Sequence, residues 1–204
     1  MTRILLRTLL AAGAVLLAAG CASTSIRSAW FDPDYRGGPF RRIVVVALNA
    51  GFAETRVFED VFAQKLKAAG VEGVPGYRIA GENATNDEAA WAAAVAGAGA
   101  DGVLTVRLLG VDTRTRVYTT VISGPVLWGA YGSWWGPSMI PVQEVTQYEV
   151  AAVETTLWDV ATRRVVWAAA TETFDPRTVA QETPTFADVI IGELAARGLA
   201  PPRK

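Results

Sequence analysis

Hydrophobic and polar positions alternate with different periods along the chain, and the periods mark its elements. Phe40 to Leu48 reads FRRIVVVAL. The unbroken β-branched run Ile43 to Val46 predicts a strand buried on both faces. In AETRVFEDVFAQKLKAAG, Val57, Phe58, Val61, Phe62 and Leu66 recur at helical spacing, Lys65 and Lys67 sit near the end, and Gly70 is placed to close the helix. A short strand is expected around Val71 to Ile79, broken by Pro75-Gly76 and therefore at an edge. Thr85 and Glu88 fit a capping box ahead of the alanine-rich helix DEAAWAAAVAGA. In GVLTVRLL, Leu104, Val106 and Leu108 alternate with Thr105 and Arg107, which predicts a strand.

The second half is expected to be antiparallel. Residues 114–122, 142–159 and 164–174 read as long strands, with a tight hairpin at DVATRR. Pairing Asp159 with Arg164 makes Trp158 and Trp167 diagonal neighbours on one face. It also sets Glu154 opposite Ala169 and Glu172 opposite Ala151, so the two glutamates project from opposite faces. Thr183-Pro184 is read as the start of a final helix with the stripe Phe186, Val189, Ile190 and Leu194, ended by Gly198. The expected fold class is α/β: one domain at residues 40–200, a mixed sheet in the order β-α-β-α-β-β-β-β-α, and helices mainly on one face.

One segment breaks the pattern. From Val117 to Gln143 there is no Asp, Glu, Lys or Arg, and WGAYGSWWGP occupies its centre. Residues 123–141 are read as a Gly/Trp-rich loop between two strands. Trp128, Tyr131, Trp134 and Trp135 are its candidate contacts with a partner or membrane, because such rings anchor interfaces and headgroup layers. Packing of the loop back onto its own sheet is the alternative. A membrane-spanning hairpin fits less well, because Glu144 on one face and Gln143, Gln147 and Glu149 on the other interrupt the apolar band such a strand needs.

The amino terminus sets the compartment. Arg3 and Arg7 precede an apolar run from Leu9 to Ala19, too short for a helix across a bilayer, which takes about 20 residues. It reads as a secretory signal. The run ends in LLAAGC, which resembles the bacterial lipobox, with Ala18 where Leu is commoner. That resemblance implies cleavage before Cys21, loss of residues 1–20, and a diacylglycerol and a further acyl chain such as palmitate on Cys21. Ala22 in place of Asp favours the outer membrane, on its periplasmic face. Residues 21–39 are expected to be a lipidated flexible tether, although Trp30, Phe31 and Tyr35 are equally suited to pack on the domain.

Composition narrows the chemistry. Loss of Arg3 and Arg7 from 19 basic side chains, against 20 acidic ones, leaves a net charge of −3, which is no nucleic-acid footprint. The chain has no histidine and a single cysteine. Histidine triads, imidazole acid–base catalysis and the common zinc sites are thereby removed, and acylation of Cys21 removes thiol chemistry. GAGADG, Gly97 to Gly102, matches a dinucleotide pattern, but it leaves a helix and enters a strand, the reverse of what phosphate binding requires. No cofactor, metal or nucleotide is expected.

With the lipobox, this element order and the phrases FEDVFAQKLKAAGVEGVPGY, GADGVLTVRL and VETTLWDVATRRVVWAAATET, the chain resembles a family of small uncharacterised bacterial lipoproteins. Its layout is similar to the α/β domain of the TolB amino-terminal region, the curli secretion lipoprotein CsgG and the lipoprotein B activator of a penicillin-binding protein. The resemblance implies a non-catalytic role in binding or envelope assembly, with an envelope protein or a second copy as partner. Two other readings stay open: a component of a membrane pore or export complex, and a carboxylate-dependent cell-wall hydrolase using Glu154 and Glu172.

Overall fold

The computed structural model describes residues 24–48, 50–80, 88–124, 138–174 and 176–202. Its elements are β1 (Thr24–Phe31), β2 (Arg42–Leu48), α1 (Phe52–Ala68), β3 (Glu72–Pro75), α2 (Gly76–Ile79), α3 (Glu88–Gly97), β4 (Gly102–Gly124), β5 (Ser138–Asp159), β6 (Arg164–Phe174) and α4 (Val179–Ala196). The six strands form one mixed sheet in the order β1-β6-β5-β4-β2-β3. β2 runs parallel to β3 and β4, and every other pairing is antiparallel. The fold is therefore α/β with an open mixed sheet.

The β-branched run of β2 lies one strand in from the β3 edge and is buried on both faces, as its lack of alternation predicts. Ile43 and Val45 join Phe62, Leu66, Ile190 and Leu194 beneath α1 and α4. Val44 and Val46 face α3 through Val95, Ala100 and Trp91. The chain steps from β2 to β3, then back past β2 to β4. Two right-handed crossovers in opposite directions place their helices on opposite faces, which is why α3 is separated from α1. The α3 layer covers only the β2–β4 end.

Four expectations about where elements begin and end need correction. Residues 24–31 are not tether but an edge strand on β6, from Thr24↔Thr173 to Phe31↔Trp167. Small and polar residues in TSIRSAWF concealed it. The strands expected at 102–109 and 114–122 are one strand, β4, with an irregularity between Leu108 and Gly110. Only Glu72–Pro75 is strand in the region expected to reach Ile79, and Gly76 starts a helical turn. The last helix begins at Val179, so Pro184 lies inside it, and the Thr183 hydroxyl bonds back to the Val179 carbonyl at 2.5 Å. Thr85 lies outside the described residues.

The hairpin after β5 pairs Asp159 with Arg164 as expected, and Arg163 takes the left-handed conformation with φ 56°. Asp159 accepts the Thr162 N–H at 3.0 Å, which pins the turn. A bulge follows at once: Leu157 pairs with Trp167 and Trp158 with Val165. The extra residue, Val166, moves every later β6 side chain to the other face. Trp167 is 0% exposed in the core and Trp158 is 39% exposed outside, so the expected tryptophan contact does not form.

Candidate functional site

β4 and β5 continue far past their neighbours. The last pairing of β5 with β6 is Val150↔Phe174, and β2 leaves β4 at Leu48↔Arg107. Beyond that, β4 and β5 pair only with each other, from Thr113↔Glu149 to Gly124↔Ser138. At about 3.4 Å per residue this ribbon projects roughly 40 Å. Residues 123–124 and 138–141 of the expected loop at 123–141 are strand, and residues 125–137 lie outside the described residues. Trp128, Tyr131, Trp134 and Trp135 lie outside the described residues, as do Cys21 and the signal segment 1–20.

The described ribbon carries large exposed apolar side chains. Val117 is 56% exposed and its partner Val145 is 61% exposed. A lone two-stranded ribbon is marginally stable in water. This one is braced at its base. Glu172 on β6 accepts the Nη2–H of Arg114 on β4 at 2.7 Å and the Nε–H of Arg27 on β1 at 2.6 Å. The Arg27 residue sits at an irregularity in β1, which frees it to reach across. Hydrogen bonds from Arg114 and then Arg27 hold the Glu172 carboxyl below the usual carboxylate range. One step outward, Arg116 donates to the Tyr118 hydroxyl at 2.6 Å and stands 5.2 Å from the Tyr148 ring centre, while Tyr148 packs against Phe174 with centroids 6.0 Å apart. Arg114 and Arg116 are visible in the sequence as alternate residues of one strand face. Their union with Arg27, Tyr148 and Phe174 depends on register and was not foreseen.

On the helix side, the ribbon base opens into an apolar groove of about 310 Å³. Phe58, Leu108, Val111, Val153 and Phe186 line it together with the charged Glu54, Glu149, Glu182 and Arg177. It lies where the amino-terminal halves of α1 and α4 meet the sheet.

The two glutamates considered for hydrolysis lie differently from expectation. With the β6 bulge, Glu154 pairs with Ala170 and Ala152 with Glu172, so both acids belong to the same face of the sheet, not to opposite faces. Glu172 is engaged by two guanidinium groups, and its lowered pKa opposes the protonated form a general acid needs. GAGADG has the polarity read from sequence: α3 ends at Gly97 and β4 begins at Gly102. Within it, the Asp101 carboxylate accepts the backbone N–H groups of Arg41 and Arg42 at 2.8 and 2.9 Å and so clamps the start of β2. Among the described residues no group of three or more acidic, cysteine or histidine side chains is arranged to hold a metal, and no helix is long and apolar enough to cross a membrane.

No family model matches the chain, and no curated protein matches it. Among solved structures, the chain is similar to a PelC dodecamer from Paraburkholderia phytofirmans, with TM-score 0.44 and 17% identity over 82% of this chain and 95% of that one. It is also similar to the lipoprotein GNA1162 from Neisseria meningitidis, with TM-score 0.43 and 13% identity over 76% of this chain and 99% of that one.

Proposed function

We propose that this chain is a lipid-anchored protein of the bacterial envelope, held on the periplasmic face of the outer membrane by acyl chains on Cys21, and that it binds or organises another protein chain without catalysis. The observation that carries this reading is the ribbon. A domain with a complete core spends some 40 Å of paired strand on an arm that, among the described residues, pairs with no third strand and touches β1 and β6 only at its base. Exposed Val117, Tyr118 and Val145 along it, and the tryptophans that the sequence carries between its two strands, are the residue types that interfaces use. The lipobox ahead of Cys21 supports the anchor, and two or three acyl chains hold a protein on a membrane stably where one does not.

A photoreactive residue at Trp134 in intact cells tests the proposal. The expected product is a covalent adduct with a second protein chain, either another copy or one discrete envelope protein. Adducts confined to the same chain would overturn it.

A further inference from the structure

The groove at the ribbon base lies level with Thr24, the first residue of β1. Thr24, Thr173, Ala151 and Val111 form one row across the sheet, and the last three line the groove. The Thr24 hydroxyl meets the Thr173 hydroxyl at 2.9 Å, so Thr24 stands on the groove's own face of the sheet. Only Ala22 and Ser23 separate Cys21 from Thr24. Three residues of extended chain reach about 10 Å. An acyl chain spans one leaflet, roughly 15 Å of a bilayer's hydrocarbon core. Val111, at the far side of the row, is three strand spacings or about 14 Å from Thr24. An acyl chain on Cys21 can therefore lie along the whole groove.

The groove's chemistry selects such an occupant. Leu108 and Val111 in its lining are 40% and 51% exposed, so the domain itself does not close this apolar surface. Its volume of about 310 Å³ holds about ten methylene groups, each taken at a water's share of about 30 Å³. Three of its four charged lining residues, Glu54, Glu149 and Glu182 against Arg177, are acidic. They disfavour a fatty-acid carboxylate or a phospholipid phosphate beside them, whereas the acyl groups of a lipidated cysteine are joined through neutral ester and amide bonds. A chain on Cys21 is removed from water in the bilayer and in the groove alike. Moving it into the groove covers Leu108 and Val111 as well, and that added apolar burial favours the groove. The short tether favours it further, because it presents the chain at the effective concentration of an intramolecular ligand.

We propose that one of the acyl chains on Cys21 occupies this groove, between the sheet and the amino-terminal halves of α1 and α4, while the other chains hold the protein on the bilayer. The inference rests on the acylation of Cys21 proposed above. The chains of the diacylglycerol and the further acyl group leave enough in the bilayer for stable attachment when one is withdrawn. The seated chain fills the apolar surface that the ribbon base leaves open and keeps that face of the domain beside its anchor.

The test uses the acylated full chain from cells grown on a fatty acid with a diazirine near its methyl end. The purified protein is placed in vesicles of unlabelled phospholipid, dilute enough that copies do not share a vesicle. Irradiation is expected to join the Cys21 acyl chain to the α1 peptide containing Phe58 and the α4 peptide containing Phe186. Val111→Asp, which sets a charge at a half-exposed position of the lining, is expected to abolish those adducts. Leu109→Asp, at a 59% exposed position that does not line the groove, is expected to retain them. Adducts confined to phospholipid would overturn the proposal, and so would adducts unchanged by Val111→Asp. A reciprocal arm places unlabelled protein in vesicles of photoreactive phospholipid. Labelling of the Phe58 and Phe186 peptides in that arm, with none from the Cys21 chain, would assign the groove to membrane lipid and overturn the proposal too. The mass of the same preparation separates the failures. An acylated Cys21 whose chain marks only phospholipid defeats this inference alone, whereas an unmodified Cys21 defeats the anchor and the inference together.

Discussion

Glu59 accepts the backbone N–H of Ala47 through Oε1 at 2.9 Å, and its other oxygen, Oε2, accepts the N–H of Tyr77 at 2.8 Å. One carboxylate on α1 thus ties the end of β2 to the turn after β3. The crevice beyond the carboxyl ends of parallel strands, where open α/β sheets commonly bind ligands, is occupied here by the protein's own side chain.

The Glu59 side chain is 2% exposed. Burial raises its pKa above the ordinary carboxylate value, and the backbone donors Ala47, Tyr77 and Gly76 oppose the shift without cancelling it. A folded-state pKa above the unfolded one means that the native protein holds the proton over the interval between them. Stability from this group therefore increases as pH falls from neutral through the raised pKa to the ordinary carboxylate value. Glu59→Gln removes that dependence and turns an amide N–H toward a backbone N–H. The expected cost at neutral pH is about 1–3 kcal/mol, the penalty for one buried donor left without an acceptor. Urea unfolding of both proteins at neutral pH and at pH near 5 measures both effects.

Glu172 behaves in the opposite sense. Its folded pKa is lowered by Arg114 and Arg27, so its stabilising contribution is full above the ordinary carboxylate pKa and is lost as pH falls through the lowered value. Glu172→Gln is expected to destabilise the protein at neutral pH and to match the parent in strong acid. The neutral-pH difference is expected to shrink in molar salt, because both arginines are about half exposed to solvent. Denaturation at two pH values and two salt concentrations checks the pattern.

Gly73 marks the closest approach of β3 to α1. A Cβ there meets the Ala63 Cα at 2.5 Å and its carbonyl oxygen at 2.6 Å, and a helix backbone cannot swing aside as a side chain can. Gly73→Ala is expected to cost about 1–3 kcal/mol, as overpacking does. At Gly38 an added Cβ meets nothing within 4 Å, so Gly38→Ala is expected to leave stability nearly unchanged. Thermal unfolding of the pair measures the difference.

The elements built from long periodic runs were legible. The double-sided β2, the stripe of α1, and the Asp159–Arg164 hairpin follow from residue type alone. What escaped were features that a single added residue controls. Val166 and Trp167 are both apolar, so the pattern offers no signal of which one is the bulge, and the error reverses the faces assigned to Trp167 and Glu172. β1 escaped because an edge strand with one open face needs few apolar residues. The uncharged run from Val117 onward flagged the ribbon. Its strand lengths and its arginine–tyrosine base did not show, because both arise from pairing between residues up to about 145 positions apart, such as Arg27 and Glu172.

The proposed function depends most on Cys21, because acylation there is what would hold the protein at a membrane. Intact-mass analysis of the protein extracted from its native membranes tests it directly. The account predicts a chain that begins at Cys21 and carries a diacylglycerol and an amide-linked acyl group. A free Cys21 thiol, or a chain that still includes residues 1–20, would contradict it.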